Sequence, residues 1–147
     1  MAGDPEGGSA VRAGRDVRVV LSRLRRRLRE VAADEDLTSS QLSVLTRLSK
    51  EGGSSASALA VAEGVRPQSM ASTLAALSQL GLLERRPDPG DGRRQLITLS
   101  AAGSRRAEDD RQARRAWLTR VLRERCTEDE RQTIIEAMAL LERIAEP

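Results

Sequence analysis

The sequence contains no histidine, tyrosine or phenylalanine, and only one cysteine and one tryptophan. Without histidine, the side chain that most readily moves protons near neutral pH is missing, and so is the commonest metal ligand. One cysteine, Cys126, excludes an intramolecular disulfide framework, suits a reducing compartment and leaves no thiolate cage for a metal. The serine-rich segments have no base partner to activate a nucleophile, and the glycines at 90 and 92 lack the Gly and Lys pattern of a phosphate loop. Neither an enzyme activity nor a cofactor is therefore expected. No stretch approaches the roughly 18 apolar residues of a membrane span, and residues 1–15, rich in Gly, Ala and Ser, lack the apolar core of a signal peptide. The expectation is a soluble cytoplasmic protein with no membrane partner. With Trp117 as the sole aromatic, Leu, Val, Ile and Ala must fill the interior, which favours packed helices over an aromatic-rich β fold.

What the chain does have is arginine. Lys and Arg total 25 against 22 Asp and Glu, a net charge of +3, and Lys50 is the only lysine. That mild basic lean fits a polyanionic partner, but an arginine-rich proteome would produce it as well.

The most informative stretch spans residues 65–100. Val65, Met70, Leu74, Leu77 and Leu80 form an apolar stripe at helical period, and Gln68, Ser69, Ser72 and Thr73 form a short polar opposite face. Pro67 suits a first helical turn and Gly81 a C-terminal stop. Two short apolar runs, 82–86 and 93–99, flank the turn Pro87-Asp88-Pro89-Gly90-Asp91-Gly92 and predict a β-hairpin. A short-sided helix followed by a hairpin with arginines near its tip has the form of a winged helix-turn-helix that reads DNA.

In chain order, residues 1–14 read as a disordered arm. From 15 to about 33, Val17, Val20, Leu21, Leu24, Leu28 and Val31 make a helical stripe, while Arg18, Arg23, Arg25, Arg26, Arg27 and Arg29 occupy the other faces. Those arginines fit either a solvated face or contacts to a DNA backbone or to the acids of a second subunit. A break at 34–40 supplies N-cap candidates, and Leu42, Leu45 and Leu48 mark a short helix over 39–49. A loop at 51–55, a short helix over 57–63 and Gly64 then complete helix-turn-helix spacing. Beyond the hairpin, Ser100 caps a helix from 101 to about 125, and Thr127 with Glu130 forms a capping box for a last helix. Residues 100–125 hold eight Arg against four acids, and residues 126–147 two against six. A basic helix next to an acidic one, both with apolar faces, suits helix association within or between chains.

This order and these motifs resemble the MarR family of bacterial transcriptional regulators. The resemblance covers about residues 15–145 and is most specific over 37–103. It is carried by LTSSQLSVLTRL, the helix 67–80, the hairpin with Asp91-x-Arg93, and the closing Leu99-Ser100-Ala101-Ala102-Gly103. It implies a mainly α fold: a winged helix-turn-helix domain with a two-stranded β-wing at 37–100, an N-terminal dimerisation helix at 15–36 and C-terminal dimerisation helices at 101–147. It also implies an obligate homodimer on double-stranded DNA.

By the same resemblance, Pro67, Gln68, Ser69, Ser72 and Thr73 would face the major groove, where Gln pairs bidentately with adenine. Arg93 would enter the minor groove from the wing tip, held by an ion pair to Asp91. Arg85, Arg86, Arg94, Ser39 and Ser40 would add phosphate contacts. Arg66 replaces the common Ser or Thr N-cap and would itself meet phosphate. Gly90 and Gly92 stand where longer residues are usual, which predicts a floppier, less basic wing. The function so implied is a repressor on a pseudo-palindromic operator, with relief by a small-molecule effector left open. A redox switch at Cys126, a non-DNA helical interaction module and a nonspecific architectural DNA binder stand as the other readings. Trp117 is expected at an interface or pocket, and Cys126 as a small buried apolar residue.

Overall fold

The structure, a computed structural model, describes residues 5–32 and 36–146. Among them the elements run α1 (Pro5–Ala32), α2 (Ser39–Glu51), α3 (Ala56–Glu63), α4 (Pro67–Gln79), β1 (Leu83–Pro87), β2 (Gln95–Leu99), α5 (Ala101–Arg125) and α6 (Glu128–Ala145). The fold is mainly α-helical with one two-stranded antiparallel sheet.

The helix ends follow from local chemistry. Thr38 and Gln41 close a reciprocal capping box on α2, with Thr38 N–H donating to Gln41 Oε1 at 2.8 Å and Gln41 N–H to Thr38 Oγ1 at 3.3 Å. Ser55 caps α3, and Thr127 with Glu130 caps α6 as expected. Pro67 opens α4 behind Arg66, whose side chain makes no capping hydrogen bond. After α4 the chain turns at Gly81, whose φ of +70° is the left-handed conformation that glycine adopts without a Cβ penalty.

One expectation is corrected at the N-terminus. Helix α1 begins at Pro5, so residues 5–14 are helical where glycines suggested an arm; residues 1–4 lie outside the described residues, as do Asp34 and Glu35 of the expected break. Once a helix is nucleated further along, each added residue brings its own hydrogen bond, and Pro5 sits where its missing N–H leaves nothing unmade. Two further assignments change. Val65 and Leu80 lie just outside the ends of α4 and are 39% and 52% exposed, so neither belongs to its core face.

The core lies between residues 37 and 97. Leu42, Val44, Leu45 and Leu48 of α2 pack with Leu59 and Ala60 of α3, Met70, Leu74 and Leu77 of α4, and Leu83 and Ile97 of the hairpin. The hairpin register pairs Leu83 with Leu99, Arg85 with Ile97 and Pro87 with Gln95. Ser54 exchanges two backbone hydrogen bonds with Ile97, at 3.0 and 2.8 Å, which docks the α2–α3 loop on the free edge of β2. None of the core residues comes from α1 or α6. Helix α1 packs against α5, and its Val17, Leu24, Leu28 and Val31 are half-buried, while Val20 stays 58% exposed and Ile135 of α6 59%.

The long arm α5 is joined tightly to the head. Ser100 donates its N–H to Leu82 O at 3.0 Å and its hydroxyl to Gly81 O at 2.6 Å, and its Oγ accepts from Gly103 N–H at 3.0 Å. A Cβ on Gly103 would lie 2.0 Å from Leu82 O, so only glycine allows this approach. In an open helix a Gly to Ala change would stabilise by up to about 1 kcal/mol. Here Gly103→Ala is expected to destabilise by about 1–3 kcal/mol, the range for overpacking, measured by urea unfolding. A neutral or stabilised variant would refute the close approach.

Candidate nucleic-acid interface

Helix α4 buries Met70, Leu74 and Leu77, and this determines which side chains remain outside. Opposite that apolar stripe lie Gln68 and Ser72, both exposed, followed along the helix by Ala75 and Gln79. Among the described residues nothing in the protein hydrogen-bonds the side chain of Gln68 or Ser72. Ser69 and Thr73 lie on the flank, with the Thr73 hydroxyl donating to Ser69 O at 3.1 Å. The five polar-face residues expected to act together therefore divide. Pro67, Gln68 and Ser72 look outward, whereas Ser69 and Thr73 face the start of α2. Gln79 went unnoticed in the sequence because it follows the last core leucine of α4, yet it shares the outward stripe.

Ser39 and Ser40, the first residues of α2, meet that flank. With Arg29, Val65, Ser69 and Thr73 they line a cleft of about 180 Å³. A second cavity, of about 240 Å³, lies between α1, α2 and α5 and has Arg25, Arg29, Arg47, Lys50 and Arg114 on its walls. Glu63 borders both and is not free. Its carboxylate accepts from Ser43 Oγ at 2.5 Å and from Arg47 Nε at 2.7 Å, while Arg47 also reaches Glu51 Oε1 at 3.0 Å and Ala62 O at 3.3 Å. This network ties α3 to α2 on the side away from the apolar core.

The wing differs from expectation in one contact. Asp91 takes the Arg93 backbone N–H on Oδ1 at 3.1 Å, but its Oδ2 faces Arg94 Nε at 3.6 Å, so the acid pairs with Arg94 rather than with the Arg93 guanidinium. An aspartate bonding a backbone N–H two residues on forms an Asx turn, and that geometry aims its second oxygen at residue 94. Asp88 makes the same kind of turn with Gly90 N–H at 2.8 Å. Backbone bonds from Asp88 N–H to Arg94 O and from Arg94 N–H to Asp91 O, at 2.9 and 2.8 Å, close the tip. Neither Gly90 nor Gly92 adopts a positive φ. Arg93 is left exposed at the tip without an acidic partner among the described residues.

Arg85 and Arg86 alternate across the sheet. Arg85 shares the face of Leu83 and Ile97, whereas Arg86 lies on the other and pairs with Glu84 at 2.8 Å. The pleat therefore prevents both from meeting one surface. Arg66 is exposed beside Pro67. Farther off, Cys126 is half-buried rather than buried at the end of α5, and its carbonyl accepts from Arg131 Nη1 at 2.5 Å. Trp117 is half-buried on α5.

Burial alone would raise the Glu63 carboxyl, but hydrogen bonds from Ser43 and Arg47 and the charge of Arg47 outweigh it and lower the pKa below the ordinary carboxylate value. The unfolded chain thus takes up the Glu63 proton more readily than the folded one. The stabilisation is complete above the ordinary glutamate pKa and is lost as pH falls through the lowered folded value. Glu63→Gln is expected to lose on the order of 1–3 kcal/mol at neutral pH and to flatten the acid side of the stability curve in that window. Urea unfolding from pH 3 to 7 measures both, and an unaltered pH profile would remove Glu63 from this role.

The fold and the sequence have counterparts among known proteins. A family model described as the MarR family matches residues 35–94. An uncharacterized HTH-type transcriptional regulator of Mycobacterium leprae is 39% identical over 110 residues, which is 75% of this chain and 77% of that protein. An HTH-type transcriptional regulator of Mycobacterium tuberculosis has the same identity and coverage. Among solved structures, a crystal structure from Pseudomonas aeruginosa superposes with a TM-score of 0.81 at 31% identity, covering 94% of this chain and 96% of that one. The apo form of Escherichia coli MarR superposes at 0.75 with 26% identity, covering 90% and 96%.

Proposed function

The chain belongs to the MarR family of transcriptional regulators, and from that premise we propose that it is a homodimeric repressor that binds a pseudo-palindromic operator in the cytoplasm. The observation that carries the reading is the outward stripe of α4. Its apolar side is committed to the core, and Gln68 and Ser72 stand exposed with their side chains hydrogen-bonded to none of the described residues. A glutamine so placed suits adenine, and serine accepts several base edges. Arg93, exposed at the wing tip with no acidic partner among the described residues, is the minor-groove contact, and a narrow A·T-rich groove favours its guanidinium. Arg66, Arg94, Ser39 and Ser40 supply phosphate contacts, joined by whichever of Arg85 and Arg86 the pleat turns toward the DNA.

The arms support the dimer. Val20 and Leu21 of α1 and Ile135, Met138 and Leu140 of α6 are 42–59% exposed, a quantity of apolar surface that a lone protomer leaves in water. A second copy covers it and sets two recognition helices about 34–36 Å apart, one helical turn of DNA. An effector that relieved repression would have to bind one spacing of the heads better than the other. The arginine-lined cavity between α1, α2 and α5 is the natural place for an anionic one.

Selection from random duplexes at physiological salt is expected to enrich an inverted repeat. On that operator, Gln68→Ala should lose about 1–3 kcal/mol at one base position per half-site, and Arg93→Ala should weaken binding and flatten the A·T preference at the wing positions. No enrichment, or wild-type behaviour of both variants, would refute sequence readout at these residues. For the dimer, Ile135→Glu combined with Met138→Glu is expected to shift the sedimentation mass to a monomer, and an unchanged dimer would place the interface elsewhere.

A further inference from the structure

Arg29 sits in the last turn of α1, outside the winged helix-turn-helix, yet its side chain lines the cleft between the start of α2 and the flank of α4. Other arginines of that helix are engaged or directed elsewhere. Arg27 pairs with Glu30 at 2.8 Å, and Arg26 borders neither cavity. Arg29 has no acidic or hydrogen-bonding partner among the described residues. The acid on the cleft wall, Glu63, is occupied by Ser43 and Arg47. The cleft therefore presents a free guanidinium and the hydroxyls of Ser39, Ser40 and Ser69, a donor set matched to a phosphate oxyanion.

Resting on the DNA-reading proposal above, we infer that Arg29 is a further DNA contact, a backbone clamp contributed by the arm rather than by the head. A phosphate flanking the bases read by Gln68 enters the cleft and is held between Arg29 on one side and the serines of α2 and α4 on the other. Such a contact carries no sequence information and positions the protein on the duplex. It also makes DNA bridge α1 to α4, so operator binding holds the head at one angle to the dimer arm, and any ligand that moves α1 acts on DNA affinity through this residue.

The test uses the full chain on its selected operator, with binding measured by fluorescence anisotropy over a range of salt concentrations. Each phosphate contact contributes about 0.9 to the slope of log affinity against log salt, so Arg29→Ala in a two-fold dimer is expected to make the slope shallower by about 1.8. Its base preference should stay that of the wild type. Arg29→Lys should keep the slope, and Arg26→Ala should leave it unchanged. An Arg29→Ala slope equal to wild type overturns the proposal, as does an equal change in Arg26→Ala, which would signal only the general field of the helix. If Gln68→Ala also leaves the base preference intact, the reading on which the clamp rests fails as well, and the two failures are thereby distinguished. Arg29 is exposed, so circular dichroism of the variant is expected to match wild type.

Discussion

The burial of Met70, Leu74 and Leu77 is the constraint on which the rest depends. Those side chains are held between α2, α3 and the hairpin, in an interior built without a single Phe or Tyr. Close packing of branched aliphatic residues leaves little room for rotation of the helix about its axis, because turning it by one residue would expose leucines and bring Ser69 and Thr73, or Ala71 and Ser78, to the core. The presentation of Gln68 and Ser72 is thus a consequence of core packing, not of any contact these residues make themselves.

A second consequence concerns how the head is connected to the arms. Ser100 and Gly103 fasten the start of α5 to the end of α4 through hydrogen bonds and a backbone approach that excludes any Cβ. Inside the head, a polar network holds two helices together. Glu63 of α3 accepts from Ser43 and Arg47 of α2, and Glu63 and Ser43 border both the cationic cavity and the cleft beside α4. The attachment at Ser100 and Gly103 is set by steric contact. The Glu63 network is a set of charge-assisted bonds inside the head.

Much of the fold was legible because it is locally encoded. The caps Ser100 and Thr127, the proline at the start of α4, the left-handed Gly81 and the leucine spacing each act within a few residues, so their signals survive in one dimension. Misreadings arose where local signals point the wrong way or stop short. Glycines near the N-terminus suggested an arm although α1 runs back to Pro5, since propagation from an established helix overrides weak local propensity. Val65 and Leu80 fitted the apolar period but fall outside the helix termini.

By itself, then, the sequence determined the order of elements, the identity of the core stripe, and the helix-turn-helix and hairpin that place the chain in its family. These are matters of periodicity and turn chemistry. The tertiary structure alone decided relations between elements distant along the chain. It turned Asp91 to Arg94 instead of Arg93, divided Arg85 from Arg86 across the pleat, gathered Arg29 with Ser39, Ser40 and Ser69 in one cleft, and closed Glu63 on Arg47. Each of these depends on the direction of a side chain in three dimensions, which is set by packing against residues that no short window of sequence contains.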